Sequence, residues 1–376
     1  MSSISALGSN KEQIWRNYQK QKHCLTSWNK DCFVGQLSSV EQSQISTLQN
    51  SQKHYKNLDL SVLYALYTSR VAYKKSGWKG VDEVGVNIGS SRGATGLFEK
   101  NHKQFLAGKK LSPLSSPTTT LGNISSWISQ DLHTGGPNLG HSVTCSSGLH
   151  AILNAMAWIQ SGMCDKFIAG GSEAPLTSFT LSQMQALGIY SQYSKKTEYP
   201  CRSLDQNKVA NSMVLGEGAA VVCLQKQKSS STLAKITGVG FATESLAHNT
   251  SISADAQCLQ KSMRMALKEF NPSNVDVIVT HTPGTIAGDN AEIKAIQAVF
   301  KDKIPALTCN KWKIGHTLGA SGMLSLELAV LMLENQFFIC TPFNPQIQPG
   351  KIKTILINAV GFGGNAVSLL LRSNEH

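Results

Sequence analysis

Apolar residues recur along the chain with two spacings, and these spacings predict alternating helices and strands. Up to residue 80 a helical spacing dominates, with predicted helices over 11–18, 38–48 and 58–76. Further on, short apolar runs alternate with longer helical patterns. Strands are predicted at 84–88, 141–144, 167–169, 218–224, 234–241, 275–280, 354–360 and 366–371, and helices at 146–161, 254–270, 290–300 and 319–334. Such alternation favours an α/β fold.

A polar, low-complexity segment at 226–232 is the clearest linker in the chain. Because the strand and helix patterns restart beyond it, we predict two similar halves, 1–232 and 233–376. A faint internal repeat agrees with this division. Ser147-Gly148-Leu149 opens one apolar helix, and Ser321-Gly322-Met323 opens another 174 positions later.

The composition is that of a globular protein without a membrane segment. Apolar residues make up 41% of the 376 residues and charged residues 15%, enough to build a substantial core. No basic start followed by a short apolar run indicates a signal peptide, and the most apolar helix, 319–333, is too short to span a bilayer. We therefore expect a cytoplasmic protein.

Nine cysteines are scattered along the chain without a C-x-x-C pair. This argues against a disulfide framework and against a zinc site, so we expect no metal. The net charge of +12 allows nucleic acid, an anionic membrane or an acidic protein as partner, or simply a solvated basic surface. Because no nucleic-acid-binding motif is present, an acidic protein partner is the better fit.

Cys145 lies where a short extended run meets a long helical pattern. The first turn of a helix stabilises negative charge through its unpaired N–H groups and its dipole. We therefore expect this thiol to ionise below its ordinary value of about 8.5. The alternative is a buried structural cysteine at a helix start.

Two histidines lie in unusual, glycine-containing surroundings, His281 in 281–285 and His316 in 315–319. A nucleophilic cysteine together with two loop-borne histidines is the set of groups that a thioester enzyme needs. A single histidine is usually structural or exposed. The motif around His316 is too distinctive for that interpretation, whereas His281 depends more on the resemblance described next.

Six landmarks, in this order, carry a resemblance to a known family. They are Cys145-Ser146-Ser147-Gly148, Ala169-Gly170-Gly171-Ser172-Glu173, Leu215-Gly216-Glu217-Gly218-Ala219, His281 with Ala287-Gly288-Asp289, Lys311 with Gly315-His316-Thr317-Leu318-Gly319-Ala320-Ser321-Gly322, and Gly361-Phe362-Gly363-Gly364. From Ile4 to Arg372 the chain resembles the elongating β-ketoacyl–acyl-carrier-protein synthases, which are thiolase-fold condensing enzymes. The resemblance implies a five-layered α/β/α/β/α fold with two pseudo-repeated halves.

The resemblance also implies roles in a decarboxylative Claisen condensation of fatty-acid or polyketide synthesis. Cys145 would accept an acyl group, and the imidazole N–H groups of His281 and His316 would donate hydrogen bonds to the malonyl thioester oxygen. Lys311 would keep both imidazoles neutral and would pair with Glu292, one helical turn after Asp289.

Further residues are implied around the substrate. The N–H groups of Cys145 and Phe362 would form the oxyanion hole, and Phe362 would gate the acyl tunnel. Its loop could rearrange because of Gly361, Gly363 and Gly364. Thr285 would contact the phosphopantetheine arm, and Leu111 and Leu114 are plausible pocket residues.

Several positions depart from the family pattern. His281 is followed by Thr282-Pro283 where Gly-Thr is usual, Val360 replaces a phenylalanine, and Asn365-Ala366 replaces Thr/Ser-Asn. The segment 201–205 keeps only part of Arg-Pro-Phe-Asp. The family's first strand, expected before Ile4, is predicted to be missing, so that either translation begins upstream or the sheet lacks a strand. This drift suggests a specialised synthase for a polyene or other polyketide-like product.

The resemblance implies no permanently bound cofactor, because phosphopantetheine arrives on an acidic acyl carrier protein. A homodimer and a heterodimer with a paralogous synthase are both open. The main alternative is a non-catalytic partner subunit that sets chain length, although such subunits typically lack the nucleophilic cysteine. Thiolases, synthases with Cys-His-Asn, and cysteine proteases fit fewer of the motifs.

Overall fold

The computed structural model describes residues 1–29, 32–78, 83–192, 197–245, 252–301, 303–346 and 348–374. The strands are β1 (Ser2–Ser5), β2 (Thr26–Asn29), β3 (Cys32–Val34), β4 (Val84–Gly89), β5 (Asn138–His141), β6 (Lys166–Glu173), β7 (Gly218–Gln225), β8 (Ala234–Thr243), β9 (Val277–Val279), β10 (Ala306–Thr308), β11 (Thr354–Gly361) and β12 (Asn365–Ser373). The helices are α1 (Lys11–Gln19), α2 (Ser39–Ser51), α3 (Leu60–Ser76), α4 (Thr95–Leu106), α5 (Asn123–Leu132), α6 (Ser147–Gln160), α7 (Ser178–Ala186), α8 (Gln257–Ala266), α9 (Ile286–Phe300), α10 (Lys311–Ile314) and α11 (Ser321–Asn335).

Two five-stranded sheets repeat the same topology. Their orders are β1-β7-β6-β4-β5 and β8-β12-β11-β9-β10. Strands β2 and β3 form a separate two-stranded sheet. When the remaining strands are numbered within their own half, both sheets have the order first, fifth, fourth, second, third. In each sheet the first two neighbouring pairs are antiparallel and the last two are parallel. The predicted boundary at residue 232 falls between β7 and β8 and stays a prediction.

The apolar side chains fix the order of the layers. Helices α6 and α11 share one core with the facing sides of both sheets. Helices α3 and α5 cover the outer face of the first sheet, and α8 and α9 cover the outer face of the second. The predicted five-layered α/β/α/β/α architecture is therefore confirmed.

The two central helices approach each other through glycines. A Cβ atom on Gly148 of α6 would lie 2.7 Å from Cγ of Met323, and one on Gly322 of α11 would lie 2.6 Å from Cγ of Leu149. Each helix thus uses its glycine to accept the apolar side chain of the other. The short sequence repeat found above marks this crossed contact.

Three predictions about strands need correction. The strand predicted to be missing is present as β1, which pairs antiparallel with β7 and escaped detection because only Ile4 in it is apolar. The strand predicted at 141–144 is instead β5, which ends at His141. The strand predicted at 167–169 continues as β6 to Glu173, because Gly170 fits closely against β7 and Gly171 fits closely against the turn at Gly319. Among the described residues, no helix combines the length and the apolar character needed to cross a bilayer.

Candidate active site

Cys145 occupies a tight turn that precedes helix α6. The Ser147 hydroxyl accepts the Val143 N–H at 2.8 Å and donates to the Thr144 carbonyl at 2.6 Å. The Ser146 hydroxyl donates to the Val143 carbonyl at 2.9 Å. Thr144 adopts a left-handed conformation, with φ of 49°, which is unusual for a β-branched residue. The serines after the nucleophile therefore hold a strained turn that presents the thiol.

The resting thiol is protonated. Burial, and then the Glu173 carboxylate, raise the pKa of Cys145 to about 12, while the positive charge of Lys311 lowers it. The prediction that this thiol ionises below its ordinary value is therefore wrong. Removal of water from the sulfur outweighs the lowering of the pKa by Lys311 and by the backbone N–H of Cys145.

His281 and His316 come from separate segments and meet in the interior. Their ring centroids are 5.3 Å apart and the ring planes are inclined at 80°. The main chain of His316 is paired with the first half, since its N–H donates to the Val214 carbonyl at 2.6 Å and its carbonyl accepts the Gly216 N–H at 3.0 Å. Burial, followed by the charge of Lys311, lowers the pKa of both imidazoles well below the ordinary value. Both rings are therefore neutral at pH 7.

Lys311 and Glu292 do not form the predicted ion pair. Within the described residues, Nζ of Lys311 is buried and has no hydrogen-bond partner. The Glu292 carboxylate instead accepts the N–H groups of His281 at 2.9 Å and Thr282 at 2.7 Å, and the Asn358 amide at 3.1 Å. Glu292 thus fixes the main chain of the His281 loop, and Lys311 acts on the site through its charge.

Asp289 also supports the His281 loop. Its charge is paired with a lysine that the sequence analysis did not select. Its carboxylate forms an ion pair with Lys208 at 2.7 Å, and both side chains are 3% exposed. It also accepts the Gly284 N–H at 2.9 Å. Thr285 caps helix α9, because its hydroxyl accepts the Gly288 N–H at 3.2 Å. The predicted substrate contact of Thr285 stays a prediction.

The glycine-rich loop after β11 packs directly on the nucleophile turn. A Cβ on Gly361 would lie 2.0 Å from Oγ1 of Thr144 and 3.2 Å from the Cys145 nitrogen. Gly363 and Gly364 adopt positive φ angles of 85° and 68°. The Phe362 side chain is 38% exposed, whereas the residues that surround the thiol are buried. The loop therefore packs on the turn that carries the thiol, and the predicted gate role of Phe362 stays a prediction.

Glu173 is a buried site residue to which the sequence analysis gave no role. One of its oxygens accepts the N–H groups of Ser91 and Gly319, and the other has no partner within the described residues. Burial raises the pKa of this carboxyl to about 7. The Ala169–Glu173 landmark was the one signal that could have drawn attention to it.

Leu111 and Leu114 lie between α4 and α5, half-buried and 52% exposed respectively. Neither belongs to the apolar cluster that contains Cys145, so their pocket role stays a prediction. Within the described parts of the chain, no three His, Cys, Asp or Glu side chains converge as possible metal ligands.

Two family models match the chain in sequence order. The model "Beta-ketoacyl synthase, N-terminal domain" matches residues 1–230, and "Beta-ketoacyl synthase, C-terminal domain" matches residues 233–342. The 3-oxoacyl-acyl-carrier-protein synthase 2 of Coxiella burnetii is 29% identical over 399 residues, covering 98% of this chain and 96% of the relative. The enzyme of the same name from Vibrio harveyi is 26% identical over 404 residues, covering 99% and 97%.

Solved structures agree on the fold. A beta-ketoacyl synthase from Burkholderia phymatum superposes with a TM-score of 0.87 at 21% identity, covering 100% of this chain and 98% of the other. The ishigamide ketosynthase/chain length factor gives 0.86 at 18% identity, with the same coverage. The chain belongs to the beta-ketoacyl synthase family of acyltransferase-type enzymes.

Proposed function

We propose that the protein condenses an acyl group carried on Cys145 with malonyl-acyl carrier protein, by decarboxylative Claisen condensation. The observation that carries this proposal is a buried thiol together with two buried imidazoles whose ring centroids lie 5.3 Å apart, with the charge of Lys311 acting on all three groups. A nucleophile alone would suit many acyl transfers. Two neutral imidazoles in addition to it suit the stabilisation of an enolate.

In the first step, Sγ of Cys145 attacks the carbonyl carbon of an acyl thioester. The new S–C bond forms as the thioester bond to phosphopantetheine breaks, and the proton of the Cys145 thiol passes to the departing phosphopantetheine sulfur. The developing oxyanion is stabilised by N–H groups, for which those of Cys145 and Phe362 are the candidates. Gly361 keeps the space beside the Cys145 N–H free.

In the second step, a malonyl thioester loses carbon dioxide and leaves an enolate. His281 and His316 donate N–H bonds to the enolate oxygen, and Lys311 keeps both rings uncharged. The enolate carbon attacks the acyl carbonyl on Cys145, and the C–S bond breaks. The product is a β-ketoacyl thioester two carbons longer, and the Cys145 thiolate takes up one proton from water.

The substrates would arrive on phosphopantetheine attached to an acidic carrier protein, to which the +12 charge is complementary. One structural neighbour is an acyl-carrier protein in complex with its ketosynthase, and others are ketosynthase and chain length factor pairs. We infer a dimer, with a second copy or a paralogue, that works in the cytoplasm. A specialised polyketide or polyene pathway is proposed from the altered His281 and gate motifs.

The alternative, a non-catalytic partner subunit, draws support from the chain-length-factor neighbours. Intact-mass analysis separates the two functions. The wild type and Cys145→Ala are incubated with acyl carrier proteins of several chain lengths and then with malonyl-acyl carrier protein. An acyl mass on the wild type alone, released as a longer β-ketoacyl product, supports the synthase. No acyl mass with any chain length contradicts it and favours the partner subunit.

A further inference from the structure

The backbone of Gly319 is fixed by the first half of the chain through both of its peptide groups. Its N–H donates to the Glu173 carboxylate at 3.2 Å. Its carbonyl oxygen would lie 2.7 Å from a Cβ on Gly148 and 2.6 Å from one on Gly171, so both positions need glycine. Three features of the first half thus converge on one residue of the second half.

Gly319 belongs to the turn that carries His316. Leu318, between His316 and Gly319, has a left-handed φ of 44°, which costs energy for a branched side chain. A Cβ on Gly319 would lie 2.7 Å from both the Glu173 oxygen and the Ser91 nitrogen. The same Glu173 oxygen accepts the Ser91 N–H. One buried carboxylate therefore joins the loop after β4 to the strained turn after His316.

Glu173 is also tied to the surroundings of the nucleophile, because Leu318, which precedes Gly319, packs in the same buried cluster as Cys145. Burial raises the pKa of the Cys145 thiol most, the charge of Glu173 raises it further, and Lys311 opposes both. On the Glu173 side, the Ser90 hydroxyl and the N–H groups of Ser91, Arg92 and Gly319 stabilise the ionised form, while burial favours the neutral form. The charged groups that act on the thiol are thus Glu173 and Lys311. Arg92 contributes to the Glu173 site through its backbone N–H, and its guanidinium donates to Gln183 at 2.6 Å.

We propose that Glu173 is a positioning residue that holds the His316 turn in place through Gly319, and that its negative charge adds to burial in disfavouring the Cys145 thiolate of the resting site. The first role requires an acceptor oxygen, and the second requires a negative charge. The proposal deepens the proposed condensation and rests on it for the role of His316. A protonated thiol is a weak nucleophile, so Cys145 would be protected from unproductive reaction until a thioester binds.

Two substitutions separate these roles. Glu173→Gln keeps an acceptor oxygen but removes the charge, whereas Glu173→Ala removes both. Glu327→Gln is the matched control, because Glu327 is likewise buried with a pKa raised to about 7 but is not among the groups that shift the pKa of Cys145. The readouts are the rate of Cys145 alkylation by iodoacetamide from pH 6 to 10, followed by peptide mass mapping, and the separate rates of acylation and condensation.

We expect Glu173→Gln to alkylate Cys145 at least several-fold faster at pH 8, since each unit of pKa changes the thiolate fraction about tenfold. Glu327→Gln should match the wild type. Glu173→Ala should lose condensation by roughly tenfold or more beyond any loss of acylation, because only condensation needs the His316 turn. Wild-type alkylation rates with Glu173→Gln at every pH, or full condensation with Glu173→Ala, would overturn the corresponding role.

The wild type provides a test that needs no variant to fold. As Glu173 ionises near pH 7, the pKa of Cys145 rises, so the alkylation rate should climb less than tenfold per pH unit between pH 6 and 8. A tenfold climb throughout contradicts the electrostatic role. Because alkylation requires no carrier protein, this result stands even if no acyl mass is found, which distinguishes failure of this proposal from failure of the proposed condensation.

Discussion

The turn before α6 and the turn before α11 have the same backbone but serve different purposes. Thr144 and Leu318, with φ of 49° and 44°, are the left-handed residues, and each lies three positions before the serine that opens its helix. By this correspondence, the position of Cys145 in the first half is occupied by Gly319 in the second. The duplicated fold thus repeats the turn that carries the nucleophile, and the copy before α11 has a glycine where the copy before α6 has the cysteine.

The strand that ends beside each turn explains the difference. Strand β6 ends at Glu173, whose carboxylate accepts the Gly319 N–H. Its counterpart β11 ends at Gly361, which has no side chain, and within the described residues no oxygen accepts the Cys145 N–H. An N–H group that already has an acceptor stabilises the folded structure, whereas one without an acceptor can donate to the oxyanion of a transition state. The residue at the end of the neighbouring strand, Glu173 or Gly361, distinguishes these two uses of the N–H group.

The largest effect is expected from His316→Ala, because we expect the turn before α11 to serve condensation and the turn before α6 to serve acylation. His316→Ala should lower the rate of condensation by roughly 10² to 10³, the usual loss on removing one oxyanion donor, and should leave acylation of Cys145 within a few-fold. Single-turnover intact-mass measurements give the two rates separately. Equal losses in both steps would show that the second turn also serves acylation.

Gly361→Ala tests whether the open N–H of Cys145 matters. The added methyl would collide with Oγ1 of Thr144, so the gate loop or the nucleophile turn must move. We expect acylation to fall about 100-fold, in the range for a disturbed oxyanion hole. Gly350→Ala is the control, since nothing lies within 4 Å of its Cβ. Wild-type acylation by Gly361→Ala would remove the contrast between the two strand ends.

A smaller effect is expected where the two halves are most alike, at the crossed glycines. Gly148→Ala and Gly322→Ala should each lower the free energy of unfolding by about 1–3 kcal/mol through overpacking. Gly148→Ala should cost more, because its new methyl meets the Gly319 carbonyl, whereas that of Gly322→Ala meets the flexible Leu149 side chain. Denaturant titration measures both, and the opposite order would contradict the packing described above.

Local pattern predicted much of this molecule. Helical periodicity located α3 and α6, and the motif around His316 indicated a reactive histidine because such loops are rare in structural segments. The protonation of Cys145 escaped prediction, because it depends on burial and on Glu173, which is distant in sequence.

The same limit explains the wrong pairing of Lys311 with Glu292. Sequence spacing can bring two opposite charges close, but it does not show that backbone N–H groups of the His281 loop occupy the carboxylate first. Lys208 escaped for a related reason, because its neighbourhood carries no periodicity and its partner Asp289 lies on another element. Contacts made by the tertiary fold decided all three cases.

The shared core between α6 and α11 has a consequence for synthesis of the chain. Helix α6 leaves the ribosome roughly 160 residues before α11 begins, which corresponds to about 10 to 30 s at ordinary translation speeds. Throughout that interval its apolar face lacks the partner that covers it in the finished protein. The nascent first half is therefore a natural client for chaperones, and slow or interrupted translation would favour aggregation over folding.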